Sequence, residues 1–178
     1  MGKQPFTPIE KKIDYVFQYR PTLIKALTHP SVQHDFNWQL LETLGDAVLD
    51  LASVVWVLET YREEIIVTPA FATQIRSLLV CNRSLARFAR DLGLQYQIHT
   101  GGKDRLRYRN NVLADAFEAL VGAVYFDALE HTRMHPLDLV RAFVDPLFRQ
   151  RVAESHEAKE LVEAARQKTA AKLAARPF

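Results

Sequence analysis

Apolar residues along the chain fall at helical intervals. Ile9, Ile13, Val16 and Phe17 recur at spacings of four, three and one behind Thr7-Pro8, a cap followed by a first-turn proline, which predicts an amphipathic helix. A shorter helix is expected over 21–28, and residues 29–36, with Pro30, His34 and Asp35, read as a loop. Asn37 is placed as the cap of a long helix running to about Tyr61. Thr68-Pro69 opens another helix, and Asn82 caps one that stops near Gly93. After the break at Gly101-Gly102, Asn110 or Asn111 caps a helix through about Asp127, and Pro136 starts one more, to about Arg149. From Ala153 the chain is rich in Ala, Glu, Lys and Arg. Glu154, Glu157, Glu160 and Glu163 come first and Arg166, Lys168, Lys172 and Arg176 last, an order that suits a helix dipole. That helix is either solvated or docked through Leu161, Val162 and Leu173. No segment alternates with period two, so the expected fold class is all-α.

At 178 residues, 48% hydrophobic and 25% charged, the chain suits one globular core and excludes disorder or a disulfide scaffold. The single Cys81 cannot form an internal bridge or a structural zinc site, which favours a reducing compartment. The longest apolar run, residues 48–58, is interrupted by Asp50 and Ser53 and falls short of the roughly 18 residues of a membrane span. The N-terminus offers no apolar signal core. The expectation is therefore an intracellular protein, of the cytoplasm or an organelle, neither secreted nor membrane-bound.

Net charge is only +2, but the signs are segregated. Arg76, Arg83, Arg87, Arg90, Lys103, Arg105, Arg107 and Arg109 face only Asp91 and Asp104 within residues 76–109, a local +6. Residues 42–64 hold Glu42, Asp46, Asp50, Glu59, Glu63 and Glu64 against Arg62. A polyanion together with a cation would satisfy both stretches.

Glu42 and Asp46 stand at i and i+4 among Leu41, Leu44, Val48 and Leu49, so two like charges share an apolar helix face. Asp115 and Glu118 repeat the arrangement at i and i+3 within Leu113-Ala114-Asp115-Ala116-Phe117-Glu118-Ala119-Leu120. Desolvated carboxylates demand a cation. Gly45 and Gly122 each give up about 1 kcal/mol of helix propensity relative to Ala, which a close helix crossing would explain. Were the helices to cross there, four carboxylates would form an oxygen-rich cluster suited to hard divalent ions such as Mg²⁺. Metal pairs so held favour in-line displacement at phosphorus, one ion activating water and the other stabilising the leaving oxygen. The alternative is that these acids simply pair with the arginines.

His29-Pro30-Ser31 followed by Asn37-Trp38-Gln39-Leu40-Leu41-Glu42-Thr43-Leu44-Gly45-Asp46-Ala47-Val48-Leu49 resembles the ribonuclease III signature. Val112 to Ala123, with Asp115, Phe117, Glu118 and Gly122, is similar to that family's second acidic motif, and Arg76-Ser77-Leu78-Leu79-Val80-Cys81-Asn82 resembles the segment between them. The resemblance spans about residues 9–148. It implies an all-helical endonuclease domain over 1–150 with a helical extension over 151–178. The implied activity is Mg²⁺-dependent cutting of double-stranded RNA in RNA processing, with Mn²⁺ as a substitute ion, leaving 5′-phosphate and 3′-hydroxyl ends. The family's metal ligands map onto Glu42, Asp46, Asp115 and Glu118, which are the expected catalytic and metal-binding residues. Gln39, Arg83, Arg87, Lys103, Arg105, Arg107 and Arg109 are expected to contact RNA. His29 and Ser31 match the signature but are expected to serve loop hydrogen bonding rather than catalysis.

The sequence departs from the family pattern at three places. Gln39 stands where bacterial members usually have Glu, Leu40 where Arg is usual, and Thr43 where a bulky Phe inserts across the dimer interface. The resemblance implies a homodimer, with a heterodimer between related subunits as the variant that Thr43 would suit. The roughly 25 residues after the family-like region are too few for the double-stranded-RNA-binding domain that typical members carry. A second reading is a non-catalytic ribonuclease III fold serving as a structural or assembly subunit of a large ribonucleoprotein, such as an organellar ribosome or an RNA-editing complex. A third is a helical metal phosphohydrolase acting on small substrates.

Overall fold

The computed structural model describes residues 7–32 and 35–175. His34 of the expected loop, Arg176 of the basic last turn and the N-terminal Met1 to Phe6 lie outside the described residues. Eight α-helices follow in order among the described residues: α1 (Pro8–Ile13), α2 (Arg20–Ala26), α3 (Gln39–Tyr61), α4 (Pro69–Leu79), α5 (Asn82–Leu92), α6 (Asn110–His131), α7 (Pro136–Glu154) and α8 (His156–Ala174). Short 3₁₀ turns occupy 94–96 and 104–108. No strand forms among the described residues, where an isolated parallel bridge joins Thr28 to His99. The all-α class is what the sequence pattern predicted.

Helix α6 is the axis of the core. Leu113, Ala116, Phe117, Ala119, Leu120, Val121, Ala123 and Val124 are fully buried, so it is apolar nearly all round, as a central helix must be. Helix α3 crosses it on one side, while α2, α5 and α7 cover the rest. Edge-on aromatic packing of Trp56 on Phe148, and the tilted contacts of Phe88 with Phe117 and Phe148, tie α3, α5, α6 and α7 together.

Several boundaries differ from the sequence reading, each for a local reason. Helix α1 stops at Ile13 because Asp14 turns left-handed at φ 50°, so Phe17 reaches the core from an extended segment and Val16 stays exposed. The buried Glu10 holds that segment, accepting from the Thr7 and Phe17 amides and pairing with Arg20. Asn82 is the first residue of α5 rather than its cap. Cys81 is extended there and its carbonyl accepts from Leu85 N–H. Arg109 likewise takes the cap position before α6, and the Asn110 side chain instead accepts a hydrogen bond from Arg90 at 2.5 Å. Trp38 takes the cap position of α3 in place of the expected Asn37, which stands one residue before it with its Oδ1 accepting the Gln39 amide at 3.0 Å. The position 150/151 falls inside α7, and the break comes at Ser155, whose hydroxyl caps α8.

Helix α8 folds back on α4 and α7. Ala158 and Val162 are buried and Leu161 packs on the core edge, Thr169 Oγ1 accepts the Ile66 amide at 3.0 Å, and Arg166 pairs with Glu64 at 2.7 Å. The docked reading thus holds for Leu161 and Val162, whereas Leu173 is solvent-exposed.

Candidate active site

The crossing of α3 over α6 is as close as backbones permit. A Cβ built on Gly45 would lie 1.8 Å from the Glu118 carbonyl oxygen, and one on Gly122 would lie 2.0 Å from that of Leu41. Both glycines are therefore required by contact, and the helix propensity they give up is offset by the packing they allow. The crossing sets the first turns of α3 against the first half of α6, and that juxtaposition gathers the acids.

Carboxylate oxygens of Glu42, Asp115 and Glu118 lie within 4.8 Å of one another, each side chain half-buried. Asp46, one turn further along α3, is exposed and outside this group of three, yet its charge bears on Glu118 and Glu42. Among the described residues no Lys or Arg pairs with any of these four acids. The alternative in which they are neutralised by arginines does not hold. Instead burial, followed by the charges of Asp46, Asp115, Glu42 and Asp50, pushes the Glu118 carboxyl up from 4.5 to about 8. Burial and the Asp115 charge push Glu42 up as well, against a hydrogen bond from Trp38, and burial raises Asp115. A half-buried, oxygen-only site with surplus negative charge fits a hard divalent cation.

Asp50 extends the acidic stripe by another turn and is the first of these acids to meet a cation, pairing with Arg76 of α4 at 2.5 Å. Its spacing from Asp46 is visible in the sequence, but its partner 26 residues away is not. Trp38, fully buried, is the other group that the sequence reading passed over. Its ring packs edge-on against His29, and its carbonyl accepts the Glu42 amide at 2.8 Å. His29 in turn accepts the Ser31 amide at Nδ1 (2.9 Å), and its own amide donates to the His99 carbonyl. Burial and then the charge of Lys103 lower its pKa. These contacts match the loop-bonding role expected for His29 and Ser31.

The residues expected to contact RNA fall into two groups. Gln39 is exposed at the start of α3, and Lys103, Arg105 and Arg109 are exposed around the 3₁₀ turn that leads into α6. Arg107 in the same turn pairs with Asp104 at 2.5 Å. Arg83 and Arg87 lie elsewhere, with Arg151 at the α7–α8 junction, where Arg87 pairs with Glu154.

An apolar groove of about 700 Å³ lies between α2 and the start of α3, lined by residues that include Tyr19, Phe36, Leu40, Thr43, Leu44 and Phe126. Leu40 is 72% exposed and Tyr19 56%. No described helix is long and apolar enough to cross a membrane.

A family model described as Ribonuclease-III-like matches residues 20–135. Ribonuclease 3 2 of Nostoc sp. is 41% identical over 134 residues, covering 72% of this chain and 50% of that protein. Ribonuclease 3 of Caldanaerobacter subterraneus is 34% identical over 152 residues, covering 80% of this chain and 65% of that protein. The chain thus spans about half to two thirds of the length of these relatives. The nuclease domain of ribonuclease III from Campylobacter jejuni superposes with a TM-score of 0.72 at 26% identity, over 83% of this chain and 98% of that domain. That structure was described for flexibility in a region involved in its dimer formation. Matched by that family model over residues 20–135 and by these relatives in sequence and fold, the chain belongs to the ribonuclease III family.

Proposed function

We propose that this chain is an Mg²⁺-dependent endoribonuclease that cuts double-stranded RNA during RNA processing, leaving 5′-phosphate and 3′-hydroxyl ends. The observation that carries the reading is the convergence of Glu42, Asp115 and Glu118 within 4.8 Å, with no basic side chain among the described residues paired to them. A non-catalytic subunit has no physical reason to keep such a cluster, because it costs stability. Glu42, Asp46, Asp115 and Glu118 would hold the divalent ions, with Mn²⁺ able to replace Mg²⁺. When bound, a metal pair supplies an activated water and a counter-charge for the leaving oxygen.

The chain's own residues do the rest. Glu118, protonated near neutral pH in the metal-free protein, gives up its proton as a cation binds, so affinity rises with pH. His29, its pKa lowered and its Nδ1 occupied by Ser31, keeps Trp38 in place over Glu42 rather than acting as a base. Gln39 and the exposed Lys103, Arg105 and Arg109 supply contacts to the RNA backbone, and Arg107 joins them on release from Asp104.

The apolar groove around Leu40 and Thr43 supports pairing with a second copy. Leu40 in place of a basic residue makes this face more apolar, and its exposure is of the kind that marks an interface. Two copies about a two-fold axis would set one acidic cluster against each strand. Incubation of the purified chain with duplex RNA and Mg²⁺, with the product ends mapped, tests the reading. Cleaved duplex with 5′-phosphate ends is the expected result, and intact RNA at all Mg²⁺ and Mn²⁺ concentrations would refute it.

A further inference from the structure

Arg83, Arg87, Arg151, Ser155, His156 and Glu157 line a cavity of about 260 Å³ where the start of α5 meets the α7–α8 junction. It shares no residue with the acidic cluster on α3 and α6. Three guanidiniums from two helices converge there against two carboxylates. Glu154 answers Arg87, and Glu157 lies in the lining. Arg83 is exposed and has no ion-pair or hydrogen-bond partner among the described residues.

Arg151 is held differently. Its Nε donates at 2.8 Å to the hydroxyl of Ser84, a side chain 1% exposed that itself donates to the Leu78 carbonyl at 2.7 Å. The partner is neutral, so this hydrogen bond fixes the arginine without cancelling its charge, which also bears on Glu154, the acid that Arg87 pairs with. A guanidinium immobilised in advance loses little entropy on meeting an anion, and its planar fork suits phosphate oxygens. The cavity has room for a phosphate group.

We propose that this cavity binds a phosphate of the RNA backbone away from the bond that is cut, with Arg83 and Arg151 as the principal contacts. The inference rests on the reading of the chain as an RNA-cutting enzyme. It extends that reading by giving α7 and the helical extension a part in holding RNA: Arg151 comes from the last turn of α7 and His156 from the first residue of α8. It also separates Arg83 and Arg87 from Lys103, Arg105, Arg107 and Arg109, which otherwise look like one basic stretch.

Binding of a labelled duplex RNA to the full chain in EDTA, over roughly 50 to 200 mM salt, tests it. Removal of one arginine–phosphate pair should lower the slope of log affinity against log salt by about 0.9. Arg83→Gln, which disturbs no ion pair or side-chain hydrogen bond in the fold, is expected to show a drop of up to that size, and Arg83→Gln with Arg151→Gln the whole of it and no more, because one phosphate is released. Arginine-directed chemical modification read by mass spectrometry is expected to show Arg83 and Arg151 protected by duplex RNA. An unchanged slope in Arg83→Gln would overturn the proposal, as would protection by inorganic phosphate but not by RNA. If the wild-type chain shows no salt-dependent RNA affinity, the reading of function fails first and this proposal with it.

Discussion

Replacing Glu118 by Gln should make the metal-free protein more stable, and only above a defined pH. The folded pKa of Glu118 is raised from 4.5 to about 8, so the native state binds its proton more tightly than the unfolded chain does. Its contribution is fully present below about 4.5 and is lost as pH rises through about 8. A displacement of that size sets a ceiling of about 5 kcal/mol at 1.36 kcal/mol per pKa unit. The site is partly open to solvent, and the burden is shared with Glu42 and Asp115, which brings the loss to about 1–3 kcal/mol at alkaline pH. Gln is nearly isosteric and cannot ionise, so it removes that loss. Thermal unfolding in EDTA should show Glu118→Gln melting about 3–8 °C above wild type near pH 8.5 and close to it near pH 5. Added Mg²⁺ should raise the wild-type melting point and leave the variant's nearly unchanged. A variant less stable than wild type at both pH values would refute the reasoning, because it would mean that the Glu118 carboxylate is satisfied by the fold.

Gly45→Ala places a methyl carbon 1.8 Å from the Glu118 carbonyl oxygen, so the α3–α6 crossing must open; a loss of about 3 kcal/mol or more in denaturant unfolding is expected, and a loss below about 1 kcal/mol would contradict the crossing. Neutralising Arg105, Arg107 and Arg109 together should lower the slope of log RNA affinity against log salt by up to about 2.7, measured by fluorescence anisotropy, whereas an unchanged slope moves the RNA path elsewhere. Sedimentation at micromolar concentration should find a species of twice the chain mass that Leu40→Asp converts to monomer. A wild-type chain that stays monomeric would point to a related partner subunit on the groove around Thr43.

The candidate site was legible in the sequence because its signals are local. Two acids at i, i+4 and two at i, i+3, each pair inside an apolar run with a helical glycine, are unfavourable unless the runs meet, and the structure shows them meeting at Gly45 and Gly122. Helices were legible for the same reason, since the apolar stripes of α3 and α6 are properties of their own windows. Helix starts were less so. Asn82 and Asn110 have the side chains that favour caps, but the preceding extended residues, Cys81 and Arg109, take the position because their backbone leaves the helical region there. Long-range polar contacts left no signal. Glu10 and Asp127 look like surface acids, yet Glu10 is sealed under Arg20 and Asp127 accepts from Tyr15 Oη and the amides of Gln18 and Tyr19. The pairing of Arg76 with Asp50, and of Arg151 with Ser84, links residues 26 and 67 apart, which spacing within one helix cannot reveal.

Single-turnover cleavage of a labelled duplex RNA by wild type and Glu118→Gln, titrated with Mg²⁺, addresses the central claim most directly. Cutting by wild type that requires the metal, with Glu118→Gln slower by at least about two orders of magnitude at saturating RNA and normally folded, is the predicted result. Cutting by Glu118→Gln at the wild-type rate, or by wild type in EDTA, would show that the carboxylates gathered at the α3–α6 crossing are not the catalytic centre.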